Sequence, residues 1–179
     1  MKKRLSFLGA ITLLGTSTTS LVACNNIPQY NEDELQQLKQ ENQICTNCQE
    51  IKEKLEWIAP QEKPFNTVDN KYYFVVWCGN ENDVWEIVKF KNYEEIVPPK
   101  HEYQYKTIDE KNKYKIQLRY YSRNDTKINL IIFKSINEPT FIWEKNSNNF
   151  KAVYRWNGSE QNLPNLVIDN DGNIKVNGE

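Results

Sequence analysis

Residues 113–121 read KYKIQLRYY and alternate between apolar or aromatic side chains and polar ones. Successive side chains of a β-strand point to opposite faces of its sheet, so this pattern predicts a strand with one buried and one solvated face. Ile116 and Leu118 should be buried, and the alternating polar side chains should face water: Lys115, Gln117 and Arg119. The stretch therefore indicates an antiparallel sheet that is covered on one side.

Further runs rich in β-branched and aromatic residues lie on both sides of this strand, at a spacing of roughly ten residues. They are residues 72–78, 84–90, 103–107, 128–133, 140–144, 150–156, 166–168 and 174–176. The sequence DNDGN between the last two runs predicts a hairpin turn. Short strands at this spacing predict an antiparallel β domain over residues 65–179, folded as a sandwich or in a barrel-like form.

The segment before this domain has the pattern of a helix. Residues 32–58 contain no Gly or Pro, and Asn31 and Glu34 have the spacing of a capping box. We expect a helical spacer over residues 32–59, with a break near residue 46 where the residues are poor helix formers. The predicted fold class is α+β: an N-terminal helix or helical stalk followed by an antiparallel β-rich domain.

The N-terminus has the features of an export signal. A cationic start, MKKR, precedes the apolar residues 5–15, which are too few to span about 30 Å of hydrocarbon. A lipobox follows, formed by Leu21, Val22, Ala23 and Cys24. We expect a signal peptide over residues 1–23, lipidation of Cys24, and a lipidated tether over residues 24–31. Two acyl chains on Cys24 would anchor the protein stably.

Two stretches of the chain resemble a known group of proteins. Residues 1–26 (MKKRLSFLGAITLLGTSTTSLVACNN) resemble the leaders of mollicute lipoproteins, especially those of spiroplasmas, including spiralin. Residues 65–77 (FNTVDNKYYFVVW) resemble a segment shared among uncharacterised spiroplasma lipoproteins. The resemblance implies a protein anchored by lipid at the extracellular face of the cell membrane. It implies no catalytic residue.

Composition limits the classes of partner. The 23 basic and 24 acidic residues give a formal net charge of -1, and the sequence pI is about 6.0. The mean hydropathy of -0.78 argues against a polytopic membrane protein. A general nucleic-acid binder is usually more basic, so we expect no nucleic-acid partner. The expected partners are the membrane, through Cys24, and a host or cell-surface protein or glycan.

The cysteines suggest little site chemistry. Cys45 and Cys48 have the spacing of a redox or zinc pair, but a helical setting beside several Glu residues is unsuited to a reactive thiol. A zinc site would also need Cys78 and the single histidine, His101, to converge. We therefore expect no metal and no cofactor. Cys45, Cys48 and Cys78 should either include one structural disulfide or remain free thiols.

The remaining polar clusters favour binding over catalysis. No carboxylate pair and no serine stands in a recognisable catalytic context. A basic stripe could bind phosphate or an anionic polysaccharide, although a solvated sheet face explains it as well: Lys111, Lys113, Lys115 and Arg119. We expect a non-catalytic binding or host-interaction module and not an enzyme. The alternatives are a surface hydrolase such as a nuclease, or a solute-binding lipoprotein.

Overall fold

Antiparallel strands and a few short helices make up the structure, a computed structural model that describes residues 29–80, 83–96, 104–120 and 128–179. The helices are α1 (Glu32–Glu41) and α2 (Gln49–Lys54). The strands are β1 (Leu55–Trp57), β2 (Tyr72–Trp77), β3 (Glu86–Lys91), β4 (Tyr105–Lys111), β5 (Tyr114–Tyr120), β6 (Ile128–Phe133), β7 (Phe141–Ile142), β8 (Phe150–Trp156), β9 (Leu166–Ile168) and β10 (Ile174–Val176). The predicted signal peptide, the lipobox with Cys24, and His101 lie outside the described residues.

The strands form two four-stranded sheets and one hairpin. The first sheet has the strand order β1-β8-β2-β3, and the second has the order β4-β5-β6-β7. Every strand pair is antiparallel. The predicted hairpin is confirmed, because β9 and β10 pair with Ile174 opposite Ile168.

Two hydrophobic clusters lie on the two sides of the first sheet. The cluster between the sheets combines side chains of both: Tyr73, Val75 and Val153 from the first sheet, and Ile116, Leu118 and Leu130 from the second. The cluster on the far side joins the first sheet to the helices and to the hairpin: Phe74, Tyr154, Trp156, Leu35, Ile51 and Leu166. The first sheet is therefore covered on both faces.

The helical spacer expected over residues 32–59 does break near residue 46, but the expectation that it continues to residue 59 is wrong. Helix α1 ends at Glu41, residues 42–48 are not helical, and α2 leads directly into β1. Residues 55–57 leave the helix because of a tertiary interaction. They form β1, which pairs with β8 at the edge of the first sheet, with Leu55 opposite Trp156. This pairing buries Leu55 and Trp57 in the second cluster, which outweighs their helix propensity.

The start of the described chain is fastened to the rest of the molecule. Of the predicted tether, residues 29–31 are described. The backbone N–H of Tyr30 donates to Gln61 Oε1 over 2.6 Å, and Gln61 Nε2 donates back to the Tyr30 carbonyl over 2.9 Å. Lys145 Nζ donates to the Gln29 carbonyl over 3.2 Å. Asn31 and Glu34 form the capping box of α1.

The predicted facing of β5 is confirmed for its apolar side and wrong at one polar position. Ile116 and Leu118 are buried between the sheets. Gln117, expected to face water, is only 2% exposed. Its carboxamide can be buried because the side chains of Thr107 and Arg119 hydrogen-bond to it on the outward face of the sheet, and the alternation of residue types does not reveal these bonds.

Candidate functional site

The outward face of the second sheet, here named the open face, combines aromatic, aliphatic and polar side chains. None of these described side chains belongs to either hydrophobic cluster: Tyr105, Thr107, Lys115, Gln117, Arg119, Asn129, Ile131, Phe133 and Ile142. Tyr105 is 56% exposed, and Ile142 is also exposed. Strand pairing aligns Tyr105, Arg119 and Asn129 in one row across the face. Ile131 and Gln117, at the centre of the face, are 0% and 2% exposed, so the exposed apolar surface lies on the edge strands β4 and β7.

Arg119 lies across the middle of the open face, on the interior strand β5. Its guanidinium carbon is 4.6 Å from the ring centre of Phe133 and 5.4 Å from the ring centre of Tyr105. Both distances are within the range of cation–π attraction. The two rings come from the strands on either side of β5, so the sheet itself fixes the direction of the arginine side chain.

A hydrogen bond from Arg119 to Gln117 also fixes the orientation of the guanidinium. Arg119 Nη2 donates to Gln117 Oε1 over 3.0 Å, and Gln117 Nε2 donates to Thr107 Oγ1 over 3.1 Å. These two bonds satisfy both ends of a buried carboxamide, which would otherwise be costly to bury. Gln117 therefore positions the guanidinium instead of facing solvent.

Arg119 has no carboxylate partner among the described residues, unlike its basic neighbours. Lys115 Nζ is 2.9 Å from Glu110 Oε2, and Lys111 pairs with Glu86. Two of the four cations of the predicted basic stripe are thus neutralised, whereas Lys113 makes no ion pair with a described residue. Arg119 Nε is buried and has no hydrogen-bond partner. A partly desolvated cation without a counter-ion is unfavourable, and it calls for an explanation.

The two terminal nitrogens of the guanidinium keep donors that no described residue uses. Nη2 uses one of its two N–H groups on Gln117, and Nη1 makes no hydrogen bond within the described residues. Two parallel N–H groups on one edge match the two oxygens of a planar anion. Chemically, the open face can therefore hold one anionic group beside the exposed ring of Tyr105.

A second charged cluster, around Glu56 of β1, contains opposite charges that pair with each other, although Arg155 Nε is buried without a hydrogen-bond partner, as Arg119 Nε is. Glu56 accepts hydrogen bonds from Lys39 Nζ at 2.9 Å, Arg155 Nη2 at 2.7 Å and Asn157 Nδ2 at 3.0 Å. Burial raises the pKa of this carboxyl, but the hydrogen bonds from these donors outweigh burial and lower the pKa to about 2. The cluster joins α1, β1 and β8, so we interpret it as structural.

The cysteines are not placed as the sequence suggests. Cys45 and Cys48 lie in the non-helical connection between α1 and α2, and not within a helix; Cys48 is the N-cap of α2. Cys45 is exposed, Cys48 is half-buried and Cys78 is buried, and no disulfide joins any two of them in this structure. Cys78 Sγ contacts the Asn148 carbonyl at 3.8 Å. The predicted lipidation site, Cys24, lies outside the described residues.

The acidic hairpin between β9 and β10 is explained by turn chemistry. The Asp169 carboxylate accepts backbone N–H groups from Asp171 at 3.0 Å and Asn173 at 2.9 Å. The backbone bond from Asn173 is the main reason that the pKa of Asp169 is lowered to about 2. Within the described ranges, no group of three His, Cys, Asp or Glu side chains is arranged to hold a metal ion.

Comparison of the chain with protein-family models, with curated proteins and with solved structures finds no match. In the part of the chain that the structure describes, no helix has both the length and the apolar character needed to cross a membrane.

Proposed function

We propose that this protein is a surface-displayed lipoprotein, anchored through Cys24, whose β domain is a non-catalytic module that binds an anionic group on a cell-surface partner. One observation carries the binding role: Arg119 is held by two rings and by Gln117, yet it has no counter-ion among the described residues. A ligand anion would supply the missing partner. The anchor is supported by the lipobox in the sequence.

A binding role accounts for the site better than a hydrolase does. A hydrolase needs an acid and a base that are free to exchange protons. The strongly hydrogen-bonded carboxylates described here, Glu56 and Asp169, are fixed by structural partners and have lowered pKa values. The open face offers a guanidinium, amides and a hydroxyl, which can bind and orient a ligand.

The anion site can be tested by NMR of the arginine side chains in the full-length protein, solubilised in detergent. The Nε–H signal of Arg119 is identified by its loss in Arg119→Lys. We expect this signal to shift saturably with acetate, inorganic phosphate or sulfate, and not with chloride at equal ionic strength. Lys113→Gln removes an exposed positive charge from the adjoining turn and should leave the shift unchanged. No response to any of these anions would refute the binding site.

The anchor needs a separate test. Cells that express the wild-type chain should incorporate labelled fatty acid into the protein, and Cys24→Ser should abolish the label and release the protein from the membrane fraction. Cys45→Ser serves as the matched control, because it removes an exposed thiol elsewhere and should keep the label. Labelling of the Cys24→Ser protein would show that the anchor is assigned wrongly.

A further inference from the structure

The charges around Arg119 restrict which anion the open face can accept. The nearest lysine on the same strand, Lys115, is already paired with Glu110, and Lys111 is paired with Glu86. A long polyanion such as a sulfated polymer or a nucleic acid needs several unpaired cations, and here it would meet acidic side chains as well. The face therefore suits a ligand that presents one negative charge at a time.

The shape of the free guanidinium edge favours a carboxylate. Arg119 is held from the side by Gln117 and is flanked by the rings of Phe133 and Tyr105. Its two terminal nitrogens therefore present N–H groups in one fixed plane. A planar carboxylate can accept both bonds at once in the fork geometry typical of arginine.

The groups beside the guanidinium suit a sugar ring. Tyr105 has a largely exposed ring that belongs to neither hydrophobic cluster, and such a ring can cover the apolar C–H face of a saccharide. Asn129 lies opposite Arg119 on β6, and its carboxamide makes no hydrogen bond with another described residue. An amide that can both donate and accept matches a sugar hydroxyl. The guanidinium lies over Phe133, which pairs with Lys115, so the anion and apolar contacts are adjacent, whereas the amide of Asn129 lies further along the same face.

A peptide carboxylate fits this location less well. Peptides that bind to sheets usually add a strand at an edge, where backbone groups are unpaired. Arg119 lies on β5, which is hydrogen-bonded to β4 on one side and to β6 on the other. A ligand at this position must therefore be recognised by side chains alone.

We infer that the open face binds a carboxylated sugar, with its carboxylate on Arg119 and its ring against Tyr105. The inference rests on the proposed binding function and specifies the ligand class of the same site. Arg119 and Tyr105 contact the ligand, whereas Gln117 and Phe133 position the guanidinium.

Saturation-transfer NMR on the full-length protein tests this inference, in a detergent that has neither sugar nor phosphate groups. The probes are glucuronate, glucose, glucose 6-phosphate, acetate and acetyl-alanine. We expect saturable transfer to the ring protons of glucuronate, with at least tenfold weaker binding of glucose. Arg119→Gln and Tyr105→Ala should each weaken glucuronate binding at least tenfold, and the control Lys113→Gln should change it less than twofold.

The outcomes separate the ligand class from the binding function. Equal binding of acetate and glucuronate, with no effect of Tyr105→Ala, would overturn the sugar assignment and leave the anion site intact. Tighter binding of acetyl-alanine or of glucose 6-phosphate would also overturn it. A failure of every anionic probe would refute the anion site together with the sugar. Because Arg119→Gln could disturb the sheet, Tyr105→Ala, at an exposed position, provides an independent test.

Discussion

The two sheets differ in what lies on their outer faces, and the strands β2 and β5 show the difference. Strand β2 of the first sheet reads YYFVVW, and its last five residues are all buried. Strand β5 of the second sheet alternates in residue type, with Ile116 and Leu118 inward and polar side chains outward, although the outward Gln117 is also buried. A strand covered on both sides needs an unbroken apolar run, whereas a strand covered on one side needs only every second residue to be apolar.

This difference also separates the structural charges from the candidate functional one. At the edge of the first sheet, Glu56 and Arg155 pair directly across β1 and β8. On the open face of the second sheet, Arg119 is also held by specific contacts, with Gln117 and with the ring of Phe133. It has no acidic partner among the described residues. Paired charges hold the covered sheet together. The charge without an acidic partner lies where we propose that a ligand binds.

The largest loss of stability is expected when the N-terminal segment that covers the first sheet is removed. A chain that starts at Gln61 lacks α1, α2 and β1, and with them the buried side chains Leu55, Trp57 and Ile58. It would expose one face of the first sheet and the free edge of β8. We expect this chain to lose cooperative unfolding, measured by circular dichroism during heating. A cooperative transition like that of the full chain would mean that the N-terminal segment is dispensable.

A smaller loss is expected from the covered side of the second sheet. Leu118→Ala removes a side chain that is buried between the sheets and should lower the free energy of unfolding by about 2–5 kcal/mol. Lys115→Ala, on the open face of the same strand, should change it by less than about 0.5 kcal/mol. Urea denaturation measures both. Similar losses at the two positions would contradict the inward facing of Leu118 and the outward facing of Lys115.

The first sheet should respond differently to substitutions at neighbouring positions. Val75 and Val76 are each 0% exposed, although they point to opposite faces. Replacing either one by Thr buries a hydroxyl group and should lower the free energy of unfolding by about 1–3 kcal/mol. Urea denaturation of the two variants tests the comparison. If only one of them is destabilised, one face of this sheet is less well covered than described here.

The edge of the first sheet should also depend on pH. The pKa of Glu56 is lowered from 4.5 to about 2, so its ion pairs stabilise the fold above pH 4.5. This contribution should disappear as the pH falls from about 4.5 towards 2. We expect an advantage of wild type over Glu56→Gln of about 1–2 kcal/mol at pH 7, which shrinks in that window. Glu110→Gln, from an exposed pair on the second sheet, provides the control. A difference for Glu56→Gln that does not change with pH would contradict this account.

The smallest effect should come from the open face itself. Arg119→Met forfeits the ring contacts and one hydrogen bond, but it also removes a partly desolvated cation with no counter-ion. We expect the free energy of unfolding to change by less than about 1 kcal/mol. A loss as large as that of Leu118→Ala would show that Arg119 serves the fold and not a ligand.

Local patterns were sufficient to predict most of the strands. Residues 128–133 and 150–156 form β6 and β8 with the bounds read from the sequence. Strand β1 was missed because Leu55 and Trp57 stand in a helix-like run. Their strand conformation depends on β8, which lies about a hundred residues further along the chain. A short segment that is fixed by a distant partner leaves little trace in its own sequence.

The candidate site was only partly visible in the sequence. Arg119 was placed correctly on the outward side of β5, and the basic stripe around it was noted. The sequence does not reveal that Arg119 lacks a counter-ion. Nearby acidic residues such as Glu110 are present in the sequence, but in the structure Glu110 pairs with Lys115. The aromatic flanks depend on the register of three strands. One local signal was present: Ile131 and Phe133 are apolar residues at outward positions of β6.

Hydrogen bonds attach Gln29 to Lys145 and Tyr30 to Gln61. These bonds limit the length of chain that separates the domain from its proposed anchor. Five peptide units separate Cys24 from Gln29, and fully extended they reach about 17 Å. With Cys24 in the bilayer, this short linker would keep the folded domain close to the membrane surface. The domain would not be raised above the membrane by a helical spacer. A partner that projects far from its own cell surface, as long glycans do, could reach the domain without close apposition of the two membranes.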